Sequence, residues 1–332
     1  MLARLRGTEA GGDAGAALAR ARLISSLGPL IALLLASLFF TIRTDRFLTT
    51  ENWSLIIQQV AVVGILAIGQ TLIILTAGVD LSNGAVMAFG TIVMTRLAVT
   101  YHLNPFVAIA LGIGACLAFG LLNGFLVAGL RLPPFIVTLG TLNIAFALTH
   151  ITSNEETIAN LPDPLVFFGS TFRFGGTTIT YGSLLALALT LVAWFVLTKT
   201  IAGRHVYATG NNPDAARLAG VRTRRVLLGV YATAGLLYGI AALVLVGRTG
   251  VGDPQAGQSA NLDSITAVVV GGTSLFGGRG SVLGTLVGTL IVGIFRNGLT
   301  LLGVAAIYQF LITGVLVILA VAVDQLSRRR QA

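Results

Sequence analysis

The strongest constraint on the fold is a series of long apolar runs separated by short polar or glycine-rich breaks. Ten can be drawn, at 24–42, 54–75, 85–100, 105–130, 134–151, 179–197, 226–246, 262–276, 282–302 and 305–323. About 20 apolar residues cross a bilayer as an α-helix. Lipid offers no partner to an unpaired backbone group, so a spanning segment is a helix or part of a closed barrel. Barrel strands alternate apolar and polar residues over about ten positions, whereas these runs are continuous. The chain is 55% hydrophobic and 10% charged, far from the roughly 25% charge of a soluble domain, and its mean hydropathy is +0.91. The expectation is an all-α, polytopic membrane protein of about ten transmembrane helices, some of them broken by glycine.

The third and eighth runs are short for a span, and each borders a glycine-rich break. Ala77-Gly78-Val79-Asp80-Leu81-Ser82-Asn83-Gly84 precedes the third, and Gly277-Gly278-Arg279-Gly280 follows the eighth. Transporters are often built from repeats with interrupted helices in matching places, and the two breaks are a faint echo of that plan. Gly280, Gly284 and Gly288 recur every four residues, as do Gly120 and Gly124. Such faces let helix backbones approach closely, either within one subunit or at a seam between two. The segment 152–178, with Glu155, Glu156, Asp163, Pro162 and Pro164, is the longest external stretch; it could fold over the mouth, meet an outside partner, or simply connect.

On a soluble chain a net charge of +9 would point to nucleic acid. Here the basic residues collect in particular segments and mark orientation instead. With the N-terminus inside and ten spans, the inner side holds Arg4, Arg6, Arg20, Arg22, Arg131, Lys199, Arg204, Arg217, Arg222, Arg224, Arg225, Arg279, Arg328, Arg329 and Arg330. The outer side holds only Arg43, Arg46, Arg96, Arg173, Arg248 and Arg296. Both termini are therefore expected in the cytoplasm. The chain divides into a disordered cytoplasmic tail at 1–23, a transmembrane domain at 24–324 with a basic cytoplasmic loop at 199–225, and a basic tail at 325–332. The first run is followed by Arg43-Thr44-Asp45-Arg46 and not by a small-residue cleavage site, so it reads as a retained helix. Cys116, the lone cysteine, lies in an apolar run and reads as a small buried side chain.

No catalytic constellation is visible. His102, His150 and His205 are far apart, no metal-ligand spacing occurs, and Gly277-Gly278-Arg279-Gly280-Ser281 lacks the lysine and spacing of a phosphate-binding loop. The chain is expected to be no enzyme and to bind no cofactor, metal or ATP. Asp80 is the acidic residue nearest to membrane depth, where a carboxylate costs about 2.5–3.5 kcal/mol. Asp80 or Ser82 could cap a helix starting near Asn83, or Asp80 could stand in a substrate path. Proton coupling is the weakest reading, since no second buried titratable residue pairs with it. The uncharged polar groups in the runs are Gln58, Gln59, Gln70, Asn123, Thr138, Asn143 and Gln309. They are either glue between helices or, facing a pore, suited to a neutral hydroxyl-rich solute. The candidate path residues are Gln70, Asp80, Ser82, Asn83 and Asn143.

Within the basic loop, Gly210-Asn211-Asn212-Pro213-Asp214-Ala215-Ala216-Arg217-Leu218-Ala219-Gly220 reads as a short helix with both ends marked. Asn212 is a good N-cap with Pro213 at the first helical position. Asp214 suits the positive end of the helix dipole, and Gly220 can take the left-handed conformation that ends a helix. A body of under two turns does not hold itself together in water. It either lies on the membrane surface or is built to be gripped by another protein.

Three blocks carry a family resemblance. Gly69-Gln70-Thr71 followed by Leu75-Thr76-Ala77-Gly78-Val79-Asp80-Leu81-Ser82-Asn83-Gly84 resembles the Thr-Gly-Gly-Ile-Asp-Leu-Ser-Val-Gly signature of ribose-type ABC importer permeases. Gly203-Arg204 with the Gly210–Gly220 stretch resembles that family's coupling loop, and Gly271-Gly272-Thr273-Ser274-Leu275-Phe276-Gly277-Gly278-Arg279-Gly280-Ser281 resembles a third block. The similarity runs from about Asn52 to Val323. Ala77 stands where the family usually has glycine, and Asn83 where it often has a small apolar residue.

The resemblance implies a permease subunit of the bacterial inner membrane, working as a homodimer or heterodimer, that carries a monosaccharide such as ribose, xylose or galactose. It implies two further partners, a cytoplasmic ATP-binding cassette subunit that uses ATP and Mg, and an extracytoplasmic solute-binding protein. Asn212, Pro213, Asp214, Ala215, Ala216, Arg217, Leu218, Ala219 and Gly220 become the ATPase coupling helix. Ala215, Ala216 and Leu218 would form its apolar face, and Arg217, Arg222, Arg224 and Arg225 would meet acidic groups or lipid phosphates. The competing expectations are an ABC permease for branched-chain amino acids or nucleosides, and an ion-coupled secondary transporter.

Overall fold

The computed structural model describes residues 28–329; the tail at 1–23, the start of the first run and residues 330–332 lie outside them. Each of the ten runs forms a helix. Six are long and apolar enough to cross a membrane: α2 (Thr50–Leu75), α4 (Pro105–Gly124, extended to Gly129 by a π-helical turn), α5 (Pro134–Ser153), α7 (Tyr181–Lys199), α10 (Thr223–Thr249) and α12 (Val282–Leu301). Four are shorter in their apolar part: α1 (Gly28–Arg43), α3 (Asn83–Val99), α11 (Ala260–Val270) and α13 (Ala306–Arg329). α11 ends sooner than its run suggested, because the backbone turns at Gly271 and Gly272, the latter at φ +87°.

Two expectations are amended. The basic loop at 199–225 is mostly helical, comprising α8 (Ile201–Asn211) and α9 (Pro213–Leu218). The all-α reading missed a small antiparallel hairpin in the 152–178 segment. There α6 (Asp163–Val166) and a short 3-10 turn lead into β1 (Thr171–Phe174) and β2 (Thr177–Thr180), which pair Thr171 with Thr180. Gly175 and Gly176, at φ +57° and +83°, make the two-residue turn, the conformation a tight hairpin requires.

α2 and α10 form the centre, each with 72% of its apolar window buried, while α4, α5 and α7 bury 28% of theirs. The outer helices leave large side chains such as Phe106, Leu139 and Phe195 exposed, which suits a lipid surround. α4 crosses α10 so closely that a Cβ on Gly120 would overlap the Tyr231 carbonyl. Gly284 and Gly288 press α12 onto α11 in the same way. These spaced glycines thus serve contacts within the subunit.

The elements gather at two ends. At one end, Ser54 of α2 bonds the Thr178 carbonyl of the hairpin, Arg96 of α3 bonds the Thr152 carbonyl in the last turn of α5, and Ile158 bridges to Gly252 after α10. Asn52 and Asn297, both buried, exchange amide bonds of 3.0 and 2.8 Å there. The other end holds α8, α9, the last turn of α2 and the 271–281 break.

Candidate functional site

Four of the five candidate path residues converge, and the knot they form is closed. Gln70, Asp80, Ser82 and Asn83 are all 0–1% exposed. Asp80 Oδ1 accepts from the Ser82 backbone N–H (2.7 Å) and hydroxyl (2.6 Å), while Oδ2 accepts from the Tyr238 hydroxyl of α10 (3.1 Å). Ser82 Oγ accepts from Asn123 Nδ2 of α4 (3.2 Å), and Asn83 Nδ2 donates to Ser264 Oγ of α11 (2.8 Å). The Gln70 amide, oriented by its neighbours, accepts from the Asp80 N–H (3.2 Å) and donates to the Asp80 carbonyl (3.1 Å).

The capping expectation gives way. Ser82 occupies the N-cap of α3 without a side-chain cap bond, because its hydroxyl is spent on Asp80. Asp80 instead closes a local turn and staples the break to α10. Buried polar groups need such partners, and most of the knot's groups, drawn from α2, α3, α4, α10 and α11, find them; Asn83 Oδ1 and Asn123 Oδ1 have none among the described residues. Asn143 is not part of it. It lies exposed on α5 and donates to Leu139 one turn back.

The start of the break has its own logic. α2 ends with Ala77 N–H on Ile74 O (2.9 Å) and Gly78 N–H on Ile73 O (3.1 Å), the bond pair of a Schellman cap. Such a cap wants a left-handed residue, and Ala77 supplies it at φ +61°, a conformation that costs a non-glycine residue roughly 1 kcal/mol.

α9 has the caps its sequence predicted. Asn212 Oδ1 accepts from Asp214 N–H (3.1 Å) and Ala215 N–H (2.9 Å), and Gly220 stands at φ +84°. Asp214 and Arg217 form an ion pair. The expected apolar face is split. Ala216 is buried, whereas Ala215 is exposed and Leu218 is 91% exposed. The helix is therefore seated on α8 and α10 through Ala216 and presents Ala215 and Leu218 outward. Arg224 does not face outward for a partner either; it donates to the Ala128 (2.9 Å) and Gly129 (2.8 Å) carbonyls at the end of the π-helical turn. Arg222 and Arg225 stay exposed.

The stem of α9 rests on the last turn of α2 and on the second break at once. Gly210, buried in the last turn of α8, packs against the Leu75 carbonyl of α2 and the Gly278 nitrogen. Gly278 N–H donates to Leu75 O (3.0 Å), Gly277 abuts Ala77, and Gly278 abuts Asn211. The Tyr207 hydroxyl of α8 donates to Gly280 O (2.8 Å). Partial burial pushes that phenol above its ordinary range, so it remains a donor at neutral pH.

A second polar group escaped the sequence reading. Asp263 is 3% exposed, and its Oδ2 meets Arg296 of α12 and accepts from Ser259 Oγ (3.2 Å), while Arg296 also donates to Ser259 Oγ (3.0 Å). Asp80 is therefore not the only buried carboxyl. Asp263 and Arg296 both lie inside drawn runs, at 262–276 and 282–302, and that was the available signal.

The chain matches the family described as branched-chain amino acid transport system, permease component, over residues 52–321. It is 46% identical over 308 residues to the fructose import permease protein of Rhizobium meliloti, covering 91% of this chain and 85% of that one. It is 38% identical over 305 residues to the ribose import permease protein of Bacillus subtilis (strain 168), covering 91% and 94%. To the D-allose transport system permease protein of Escherichia coli (strain K12) it is 34% identical over 299 residues, covering 89% and 90%. No solved structure matches. With its three glycine-flanked blocks in place and these relatives aligned along most of its length, the chain belongs to the permease family of ABC importers.

Proposed function

We propose that this chain is the membrane subunit of an ATP-driven importer of a monosaccharide, with ATP hydrolysed by a separate cytoplasmic subunit that uses Mg. The observation that carries the reading is the seat of α9. Its outward residues, Ala215 and Leu218, are free for a partner, while its stem touches the last turn of α2 and the second break through Gly210 and Asn211. A push on α9 thus reaches the ends of α2 and α11 without passing through lipid-facing helices. In this reading the segment from Asn212 to Gly220 is the coupling helix, and the α9 end of the bundle faces the cytoplasm. Ten spans then put both termini there, which agrees with the basic residues of the α8–α10 region. The permease works as a pair in the bacterial inner membrane and receives its solute from an extracytoplasmic binding protein.

The sugar assignment rests on the fructose, ribose and allose permeases that the chain resembles. A branched-chain amino acid is the runner-up, favoured by the family's description. Ion coupling is disfavoured, since Asp263 is paired with Arg296 and Asp80 is held by three donors. The test is uptake into proteoliposomes holding the permease, its ATPase and its binding protein. ATP-dependent accumulation of D-fructose, D-ribose, L-arabinose or D-allose is expected. Uptake that survives ATP depletion and collapses with an ion gradient would sink the proposal.

A further inference from the structure

The polar knot around Asp80 is sealed, so it exposes no side chain to a passing solute. The polar groups that do face open space lie elsewhere, around a cavity of about 300 Å³ between α2, α10, α11 and α12. Gln59, Arg248, Ser259, Asp263, Arg296 and Gln309 contribute to its wall. They come from five helices and the turn before α11; the sequence left Gln59 and Gln309 open between helix glue and a pore and put none of the six among the candidate path residues.

Four of these six are committed. Asp263 is held by Arg296 and Ser259, and Gln309 is bonded to Thr300 Oγ1 (3.1 Å) and the Val304 carbonyl (2.9 Å). The Asp263 carboxyl neutralises Arg296 and fixes it against the start of α11. The other two are uncommitted. The half-buried Gln59 amide and the Arg248 guanidinium make no hydrogen bond among the described residues, though both border the cavity. Polar side chains that serve packing spend their capacity on one another; these two do not.

The cavity's floor is a broken element. The chain leaves α10 at Gly250, bridges to Ile158 through Gly252, and then runs inward to start α11 beside α3. There Gly257 abuts Gly84, and Asn261 Nδ2 reaches the Leu81 carbonyl (3.4 Å). The cavity thus stretches from Arg248, near the hairpin end, down to the level where α3 and α11 begin. Irregular backbone at membrane depth is tolerated where it lines a water-filled cavity. An adjoining cavity of about 560 Å³ shares Asp263, Arg296 and Gln309 with this wall but is otherwise largely apolar, walled by side chains such as Leu35, Phe39 and Phe295, and suits an acyl chain.

We propose that this polar cavity is a transit subsite for a neutral monosaccharide, with Arg248 and Gln59 as its solute-binding groups and the Asp263–Arg296–Ser259 cluster as the rigid wall that sets its shape. A volume near 300 Å³ is at the small end of ligand pockets, which fits one sugar ring and excludes an oligosaccharide. The guanidinium offers donors in a fixed fork and the amide offers both donor and acceptor, so adjacent hydroxyls can be met from two sides. Hydrogen bonds of about 1 kcal/mol each hold such a solute loosely enough to let it go. The site has no free carboxyl for an ammonium group, since Asp263 is taken, and this disfavours an amino acid.

This inference rests on the sugar reading above, and its test separates the two. The permease, with ATPase and binding protein, is reconstituted as wild type, as the double variant Gln59→Leu, Arg248→Met, and as Arg248→Lys. Uptake of D-fructose, D-ribose, L-arabinose, D-allose and L-leucine is measured at equal amounts of co-purified complex, so that a variant that fails to assemble is recognised. The double variant is expected to lose about ten-fold or more in sugar uptake and to change the ratio between the best and second-best sugar. Arg248→Lys should recover part of the rate. If the wild type imports a sugar and the double variant matches it in both rate and ratio, the subsite is refuted while the sugar reading stands. If the wild type imports L-leucine and no sugar, the sugar reading falls and the subsite with it.

Discussion

Gly210→Ala tests the junction of α8 with the last turn of α2 and the second break. The residue is helical and buried, so an alanine there would ordinarily help, by up to about 1 kcal/mol of helix propensity. Here its Cβ would overlap the Leu75 carbonyl oxygen and lie 3.0 Å from the Gly278 nitrogen. Those two atoms are joined to each other at 3.0 Å. Both belong to backbone, so neither can swing aside as a side chain would. Overpacking of this kind costs about 1–3 kcal/mol, and parting a buried donor from its acceptor costs a further 1–3 kcal/mol or so. Against a gain near 1, the net loss is about 1–5 kcal/mol, and each 1.4 kcal/mol is about a factor of ten. The assay is solute moved per ATP hydrolysed in proteoliposomes, alongside thermal unfolding of the purified complex. Solute per ATP should fall about five-fold or more while the chain still inserts, because the distortion sits where α9 meets α2 and the 271–281 break. Gly229→Ala is the control: a Cβ there meets nothing within 4 Å, and the variant should be neutral or slightly stabilised. Wild-type stability together with wild-type solute per ATP in Gly210→Ala would refute the reasoning.

Three further outcomes are expected. Leu218→Asp removes the 91% exposed side chain on the outward face of α9 without touching the buried Ala216; it should leave thermal stability within about 0.5 kcal/mol yet weaken co-purification of the ATPase subunit, and unchanged co-purification and uptake would argue against α9 as the docking element. Asp80→Asn weakens three bonds to a buried carboxyl, each by about 1 kcal/mol, so the yield of folded protein should drop while uptake per folded complex persists; intact assembly with no uptake would make Asp80 a mechanistic group instead. Ala77→Gly relieves the φ +61° conformation by roughly 1 kcal/mol, offset in part by unfolded-chain entropy, and should raise the unfolding temperature or leave it unchanged, whereas a clear drop would show that the methyl group packs usefully.

The apolar runs made ten of the helices legible, because the spacing of polar breaks is a one-dimensional property. The caps of α9 were legible for the same reason, since Asn212 and Gly220 act on neighbours within three residues; that of α3 was not, because the Ser82 hydroxyl turns to Asp80. What the sequence hid was direction. A helix that is apolar on nearly every side carries no stripe to show which face is inward, so Gln70 and Asn143 looked alike. One lies on α2, in the centre, and the other on α5, where an exposed amide satisfies itself on Leu139. Asp263 was hidden by the length of its own run, and its partner Arg296 is 33 residues away. The seat of α9 was hidden because Ala215 and Ala216 are chemically identical and only the packing of α8 and α10 tells them apart.

α2 links the two functional ends in a way neither motif shows alone. Leu75 carries the junction with α8, Gln70 braces the break that holds Asp80, and Gln59 borders the polar cavity. From Leu75 to Gln59 is about 24 Å of unbroken helix at 1.5 Å per residue. Gly69 lets α10 approach so closely that a Cβ there would lie 2.8 Å from the Tyr238 ring, and Tyr238 in turn binds Asp80. α2, α10 and the first break are thereby one body, packed too tightly to deform locally. α12 is fastened to the same body by the paired amides of Asn52 and Asn297 and by the Thr71–Thr285 hydroxyl bond (2.7 Å), so a displacement delivered to the end of α2 would carry Gln59, Arg248 and the α12 side of the cavity together. The lever and the solute groups would move together because they are fixed to the same pair of helices.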